Sequence, residues 1–130
     1  MTIEERVSGA VTILDVRGRM TAEVLADMFL AEKVRPLLQA GQKQILLNMQ
    51  GVPYLDTTGL CNIVEAYIAT RRQGGSLKLL HLATYVREML MITRLLTIFE
   101  AYESEADAVA SFGQPVTPDD MRVISHRLSD

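Results

Sequence analysis

Apolar and polar positions follow two different periods along the chain. Val11–Val16 reads V-T-I-L-D-V, an alternation that predicts a strand. A weaker strand is predicted around Glu5–Val7, and Gly9 between the two segments indicates a hairpin with a short turn. The near-continuous apolar runs Gln44–Met49 and Leu77–Leu80 are typical of strands that are buried on both faces.

The segment Thr21–Ala40 has the apolar spacing of a helix, with Thr21 as its N-cap and Gly41 as its C-terminal stop. Its apolar stripe comprises Val24, Leu25, Met28, Ala31, Leu37 and Leu38. Pro36 conflicts with one continuous helix, because proline removes a backbone donor and clashes with the preceding turn. We therefore expect a kink or break near Val34–Arg35.

Two further helices follow the first buried strand. Apolar residues recur at helical spacing from Leu60 to Ile68, and Gly74-Gly75 is expected to end that helix. The segment Thr84–Thr93 is predicted to be the next helix, with Thr84 as its cap. Its expected inward residues are Val86, Met89, Leu90 and either Ile92 or Thr93.

The last predicted elements are a strand at Thr97–Tyr102 and a helix that is capped by Ser104 and ends at about Phe112. The order β-β-α-β-α-β-α-β-α predicts an α/β fold. We expect one domain over residues 1–112, with a mixed, mainly parallel sheet of about five strands, about four helices and an opening β-hairpin. The C-terminal tail, residues 113–130, contains two prolines and is expected either to be disordered or to carry a short helix.

Composition narrows the class of protein. Hydrophobic residues make up 48% of the chain and charged residues 22%, which is typical of a globular domain. The net charge of -3 and the lack of a Lys/Arg run argue against nucleic-acid binding. No apolar stretch reaches the roughly 18–20 residues that span a bilayer, and the N-terminus lacks a signal-peptide apolar region. We therefore expect a cytoplasmic protein without membrane insertion.

Metal and cofactor chemistry have few candidate residues. Cys61 is the single cysteine, and His81 and His126 are the two histidines, so neither an internal disulfide nor a metal site is expected. The turn at Gly74-Gly75 lacks the spacing of a dinucleotide-binding loop, and we expect no cofactor. His81 is interpreted as a strand-end residue without a ligand role.

The acidic residues outside the candidate site are interpreted as structural. Asp15 is a lone acid on an early strand and is expected to lie on a solvated face. A second group, which comprises Glu100, Glu103, Glu105 and Asp107, is expected to be a solvated helix start, with a recognition edge as the alternative.

The stretch Tyr54–Leu60 reads Y-L-D-T-T-G-L and carries most of the candidate chemistry. It lies between a buried strand and an amphipathic helix, where functional sites of α/β sheets are found. In the plain interpretation, Asp56 or one threonine caps the helix and the other threonine lies on the surface. In the functional interpretation, a threonine accepts a phosphoryl group, which adds roughly -1.5 to -2 charges without refolding the chain. Gly59 would then let another molecule approach the backbone closely.

These residues resemble a known family. The run I-L-L-N-M-Q-G-V-P-Y-L-D-T-T-G-L and the later G-G-S-L-K-L-L are similar to a STAS domain, and most similar to the anti-sigma-factor antagonists of bacterial partner-switching systems. The resemblance covers about Val7–Phe112, and the pattern L-x-x-T-x-L-x-x-[IL]-F within Met89–Phe99 supports it independently.

The resemblance implies a role for each residue of the stretch. The acceptor hydroxyl directly precedes the glycine, which makes Thr58 the first choice and Thr57 the second, and Asp56 contacts or orients the site. The implied partner-binding residues are Asp56, Thr57, Thr58, Gly59, Leu60 and Asn62. The implied partners are an anti-sigma factor with serine-kinase activity, which modifies and releases the domain, a phosphatase that resets it, and other STAS proteins. The domain itself would have no catalytic activity.

Two departures from the family pattern leave alternatives open. The common acceptor is serine, whereas this chain has Thr57 and Thr58, as in the STAS domains of large stress-signalling scaffolds. Many antagonists also have G-E-L-D after the second strand, where this chain has an arginine, Arg19. The first alternative is therefore a scaffold or accessory subunit of a stress-signalling assembly or transporter. The second is a small enzyme or small-ligand binder, with a nucleotide at the helix start.

Overall fold

The computed structural model describes residues 1–23 and 30–112. Its sheet has five strands in the order β1-β2-β3-β4-β5. The strands are β1 Thr2–Ser8, β2 Val11–Arg17, β3 Gln44–Gly51, β4 Ser76–Leu80 and β5 Ala101–Tyr102. The β1–β2 pair is antiparallel and the other three pairs are parallel, so the predicted opening hairpin and mainly parallel sheet are confirmed.

Within residues 1–23 and 30–112, four helices alternate with these strands in the predicted order. They are α1 Leu30–Gln39, α2 Thr57–Arg72, α3 Thr84–Ile92 and α4 Glu105–Phe112, with a short 3-10 turn at Leu95–Thr97. The predicted residues Val24, Leu25 and Met28 and the tail 113–130 lie outside the described residues.

The central strands of the sheet are buried on both faces. On one face, α1 and α2 pack against a core that includes Leu14, Leu47 and Leu79. On the other face, α4 covers a smaller cluster, which comprises Val11, Ile13, Leu46, Leu80, Ala108 and Phe112. Because side chains of a strand point alternately to the two faces, this arrangement explains why the central strands are near-continuous apolar runs.

Helix α1 continues through Pro36, so of the two predicted outcomes near Val34–Arg35, a kink or a break, the break is wrong. Val34 and Leu38 are buried on the inner side, whereas Pro36 is exposed on the outer side. Pro36 leaves the carbonyl of Glu32 without its helical donor, and both residues are exposed, so the missing hydrogen bond lies on the solvent side of the helix. The packed inner face holds the helix together.

The expected start of a helix after Thr21 is also wrong. Ala22 and Glu23 lie in a turn, whereas an N-cap at Thr21 would place them in the first helical turn. The backbone of Ala22 instead donates to a side chain of the α2 start, as described below.

The third helix and the last strand differ in detail from the sequence prediction. The N-cap of α3 is Ala83, which offers no side-chain acceptor, and Thr84 is the first helical residue. Val86 and Leu90 are buried as predicted, but Ile92 is 77% exposed and Thr93 is exposed. The predicted strand Thr97–Tyr102 shrinks to its last two residues, because Leu95–Thr97 forms a 3-10 turn that inserts Phe99 into the core.

Ser104 does cap the last helix. Its Oγ accepts a hydrogen bond from the backbone N–H of Asp107 at 3.3 Å, and α4 runs to Phe112 as predicted. Across the two described ranges, no helix is long and apolar enough to cross a membrane.

Candidate functional site

The start of α2 is held by a continuation of the β2–β3 pairing. Beyond the ends of these strands, the backbone N–H of Met20 donates to the Tyr54 carbonyl at 3.1 Å, and the N–H of Asp56 donates to the Met20 carbonyl at 3.2 Å. Met20 and Leu55 form a parallel bridge, and both side chains are fully buried. The Y-L-D-T-T-G-L stretch is therefore fixed to the neighbouring chain segment before the helix begins.

Asp56 is the N-cap of α2 and uses both carboxylate oxygens. Its Oδ1 accepts from the Gly59 N–H at 3.0 Å, and its Oδ2 accepts from the Ala22 N–H at 2.9 Å. These two N–H groups, Ala22 first, hold the pKa of the Asp56 carboxyl below its ordinary value. Of the two capping candidates in the plain interpretation, the structure selects Asp56 over the threonines.

Gly59 is required by the chain's own packing. A Cβ at this position would lie 2.1 Å from the Met20 carbonyl oxygen and 2.9 Å from the Leu55 Cβ. Gly59 is buried, so the close approach at this position is made by Met20 of the same chain. The interpretation in which Gly59 opens the backbone to another molecule is therefore wrong.

Thr57 and Thr58 are the first two residues of α2. Thr57 is exposed and Thr58 is half-buried. Among the described residues, neither hydroxyl has a hydrogen-bond partner, because the capping role falls to Asp56. Both hydroxyls are thus free at a helix N-terminus, where the unpaired N–H groups and the helix dipole favour an added negative charge.

The other two candidate residues, Leu60 and Asn62, are buried at 8% and 3% exposure. The Asn62 Oδ1 accepts from the Leu30 N–H at 3.0 Å, and its Nδ2 donates to the Thr58 carbonyl at 3.1 Å. Asn62 therefore ties the first turn of α2 to α1. Both residues are buried in the first two turns of α2, and Asn62 contacts the backbone of Thr58.

An arginine and two tyrosines form a stack beside this site that the sequence did not reveal. The Tyr54 and Tyr85 rings are stacked with centroids 4.8 Å apart, and the Arg19 guanidinium carbon lies 4.8 Å from the Tyr54 centroid. Partial removal from water raises the pKa of Tyr85, and the adjacent Tyr54 adds to the rise. The sequence signal that could have predicted this contact is the position of the tyrosines. Tyr54 follows β3 and Tyr85 follows β4, and the ends of these two neighbouring parallel strands lie side by side.

The sequence suggested that Asp15 lies on a solvated face, and this prediction is wrong. Asp15 is 8% exposed, and its carboxylate accepts hydrogen bonds from Arg6 and from the Asn48 Nδ2. The Arg6 guanidinium is the main cause of a lowered pKa at Asp15. Arg6 also pairs with Glu105 at 2.7 Å, so it bridges the hairpin to α4.

The predicted acidic stretch is largely neutralised. Glu100 pairs with Lys78 at 3.0 Å, Glu103 with Arg87 at 3.2 Å, and Glu105 with Arg6. The side chains of Glu103 and Glu105 are still 82% and 41% exposed, so these two acids lie at a solvated helix start, as predicted. Within the described residues, no cluster of His, Cys, Asp and Glu is suited to a metal ion.

His81 and Cys61 are the remaining two candidate residues. His81 lies at the end of β4, where its N–H donates to the Tyr102 carbonyl at 2.9 Å. With Gln50 and Glu103, it lines a shallow depression that is wide open to solvent. Cys61 is an exposed free thiol.

Comparisons with known proteins identify the family. The STAS domain family matches residues 2–108. The chain is 33% identical over 78 residues to the anti-sigma-B factor antagonist of Bacillus subtilis strain 168, and the alignment covers 60% of this chain and 71% of that protein. A Thermotoga maritima protein described as a candidate anti-sigma factor antagonist has a similar structure, with a TM-score of 0.78, 22% identity and coverage of 86% and 95% of the two chains. The Bacillus cell fate determinant SpoIIAA in its phosphorylated form gives a TM-score of 0.64 at 14% identity, with coverage of 84% and 97%. At these identities, the two solved structures show a shared fold.

Proposed function

We propose that this chain, which belongs to the STAS domain family, is an anti-sigma factor antagonist that is switched by phosphorylation. In this proposal, the unmodified domain binds an anti-sigma factor with serine-kinase activity and thereby frees the sigma factor. The kinase then phosphorylates a threonine at the start of α2, which ends the interaction until a phosphatase removes the group. The matched relative from Bacillus subtilis bears the name of such an antagonist.

The observation that carries the proposal is a pair of free hydroxyls on a pre-formed helix start. Asp56 caps α2 and Asn62 ties it to α1, and neither contact uses a threonine side chain. A phosphoryl group on Thr57 or Thr58 would therefore leave these contacts in place. It would change the charge of the surface, and its interaction with the helix dipole is worth about 0.3–1 kcal/mol in favour of the modified state.

Thr58 remains the first choice of acceptor because it directly precedes Gly59, as in the family pattern. Thr57 is the second choice, and its greater exposure makes it the residue that a kinase reaches more easily. The two can be separated because valine replaces a threonine hydroxyl with a methyl group and keeps the branched shape.

The test is a pull-down from native cell extract, followed by phosphorylation with purified components. Wild type and Thr58→Asp serve as baits, and the bound proteins and phosphosites are identified by mass spectrometry. The recovered kinase is then incubated with ATP and the Thr57→Val, Thr58→Val and Thr84→Val variants. Thr84 is the matched control, because it is also an exposed threonine at the first position of a helix.

We expect a serine-kinase anti-sigma factor on wild type and its loss with Thr58→Asp. We expect phosphoryl transfer to wild type, Thr57→Val and Thr84→Val, and none to Thr58→Val. Transfer to Thr58→Val but not to Thr57→Val would move the acceptor to Thr57. Equal transfer to all three variants, or no kinase on the wild-type bait, would contradict the switch.

A scaffold or accessory-subunit role is the second candidate, and exposed apolar residues favour it. Met91, Ile92 and Ile98 are 58%, 77% and 50% exposed on α3 and the turn after it. Such a surface is suited to contact with another protein. A light-scattering mass of the purified chain distinguishes the two roles, since a scaffold subunit assembles with itself or with other STAS chains and a switching antagonist does so only with its kinase.

A further inference from the structure

We infer that Arg19 is a docking residue that binds a carboxylate on the partner protein. This inference rests on the proposed function, since it assigns the chemistry of the partner at the same surface. It concerns the stack of Arg19, Tyr54 and Tyr85, which no capping or core role explains.

The Arg19 side chain is exposed and forms no ion pair with an acidic side chain of the described residues. Among the described residues, Arg6, Lys78 and Arg87 are paired with carboxylates, and Arg19 belongs to the larger group of basic side chains that are not. Arg19 has neither an ion pair nor a hydrogen bond in the described parts of the chain, and its guanidinium lies over the Tyr54 ring. The five N–H donors of the guanidinium are therefore available to a ligand.

The two stacked tyrosines give the Arg19 guanidinium an aromatic surface to rest on. Tyr54 follows β3 and is half-buried, Tyr85 lies in the first turn of α3, and each ring supports the other. The cation–π contact with Tyr54 favours one position of the Arg19 side chain, so less of its freedom is lost upon binding. Arginine and tyrosine are also the residue types that most often dominate protein–protein interfaces.

A carboxylate is the group that fits this surface. Planar, two-pronged binding of a carboxylate is the particular property of arginine, and the Arg19 guanidinium over the Tyr54 ring has no acidic partner among the described residues. A nucleic acid is a poor match, because it needs several cations and the chain carries a net charge of -3 without a basic run. The observations therefore favour an Asp or Glu of a protein partner.

The position of Arg19 links docking to the switch. Arg19 directly precedes Met20, whose carbonyl accepts from the Asp56 N–H, and Thr57 directly follows Asp56. A phosphoryl group on Thr57 or Thr58 would place negative charge on the surface that receives the partner's carboxylate. It would both repel that carboxylate and compete with it for the guanidinium, so release of the partner follows from the same geometry.

The test uses the anti-sigma factor that the wild-type bait recovers in the pull-down. This partner is produced as a purified protein, and its affinity for each variant is measured. Isothermal titration compares wild type with Arg19→Glu, Arg19→Gln and Tyr54→Leu. Arg72→Glu is the matched control, since it makes the same change of charge at an exposed position at the far end of α2. Each surface Asp and Glu of the partner is also changed to Lys in turn and titrated against Arg19→Glu, and circular dichroism melting verifies that every variant is folded.

We expect at least tenfold weaker binding for Arg19→Glu, a smaller loss for Arg19→Gln and Tyr54→Leu, and less than a twofold change for Arg72→Glu. One Asp→Lys or Glu→Lys change in the partner should restore binding to Arg19→Glu. Wild-type affinity in Arg19→Glu would overturn the inference and leave the proposed function intact, as would a loss that no partner variant restores. If wild type retains no anti-sigma factor, the proposed function fails and the inference fails with it.

Discussion

Gly59 determines how closely α2 approaches the end of β2. Local propensity and packing predict opposite effects for Gly59→Ala. Alanine is favoured over glycine inside a helix by about 1 kcal/mol, which would stabilise the protein. A Cβ at this position would instead lie 2.1 Å from the Met20 carbonyl, which forces the backbone apart. We expect packing to win and the free energy of unfolding to fall by about 3 kcal/mol, as for other overpacked sites.

Urea unfolding followed by circular dichroism measures this change. Gly9→Ala is the control, since a Cβ at Gly9 would meet nothing within 4 Å and only its φ of +61° opposes the substitution. We expect a loss of about 1–2 kcal/mol there. A Gly59→Ala variant more stable than wild type would show that α2 can move away from Met20 at no cost.

Sequence patterns located the key residues better than they explained them. The D-T-T-G run marked a helix start, but the role of Gly59 depends on Met20, which lies 39 positions earlier in the sequence and meets it only in the fold. The prediction of a solvated face for Asp15 was wrong for the same reason. Asp15 was interpreted from its own strand, whereas its burial depends on Arg6 across the hairpin and on Asn48 in the next strand.

Asn62 connects α1 and α2 through a buried side chain. Replacement by leucine of similar size leaves the Leu30 N–H without its acceptor in a buried place. We expect Asn62→Leu to lower the free energy of unfolding by about 1–3 kcal/mol, the cost of a buried unsatisfied donor. Chemical denaturation gives this value directly.

The control for that substitution is Ile68→Leu, on the same helix and 41% exposed. It should change the free energy of unfolding by less than about 0.5 kcal/mol. Amide hydrogen exchange provides a second observation, because the Leu30 amide should exchange faster in Asn62→Leu than in wild type. Unchanged protection of that amide would count against the role assigned to Asn62.

Periodicity predicted the order of the elements but not the ends of those near β5. The run Leu95–Phe99 is apolar enough for a strand, yet Arg94 adopts a φ of 63° and turns the chain before it. The burial of Phe99 then depends on the edge-to-face contact with Tyr67 of α2, at 5.0 Å between ring centroids. Contacts between distant elements decided these boundaries, and a local pattern does not contain them.

The two faces of the sheet are covered by different helices. α1 and α2 cover one face and present the threonines at its edge, while α4 covers the other and is joined to the hairpin by the Arg6 bridge. Hydrophobic patterning was sufficient to predict central strands that are buried on both faces. It could not predict that the acids of α4 and β2 share one arginine.

This shared arginine makes the stability of the whole domain depend on acidity. Arg6 lowers the pKa of Asp15, so the folded state holds its carboxylate charged more firmly than the unfolded chain does. A group with a lowered pKa stabilises the fold above its unfolded value and loses that contribution as the pH falls through its folded value. The free energy of unfolding should therefore fall progressively below about pH 5.

Asp15→Asn should flatten this acid dependence, because asparagine cannot be protonated in that range. Thermal melts from pH 7 to pH 2.5 measure it, with Glu65→Gln as a control at an exposed acid on α2. We expect the variant to be less stable than wild type at pH 7 and to approach it in acid, since protonated Asp15 has also lost its ion pair. Parallel curves for the two proteins would mean that Arg6 is held by Glu105 alone and that the acid dependence arises from other carboxylates.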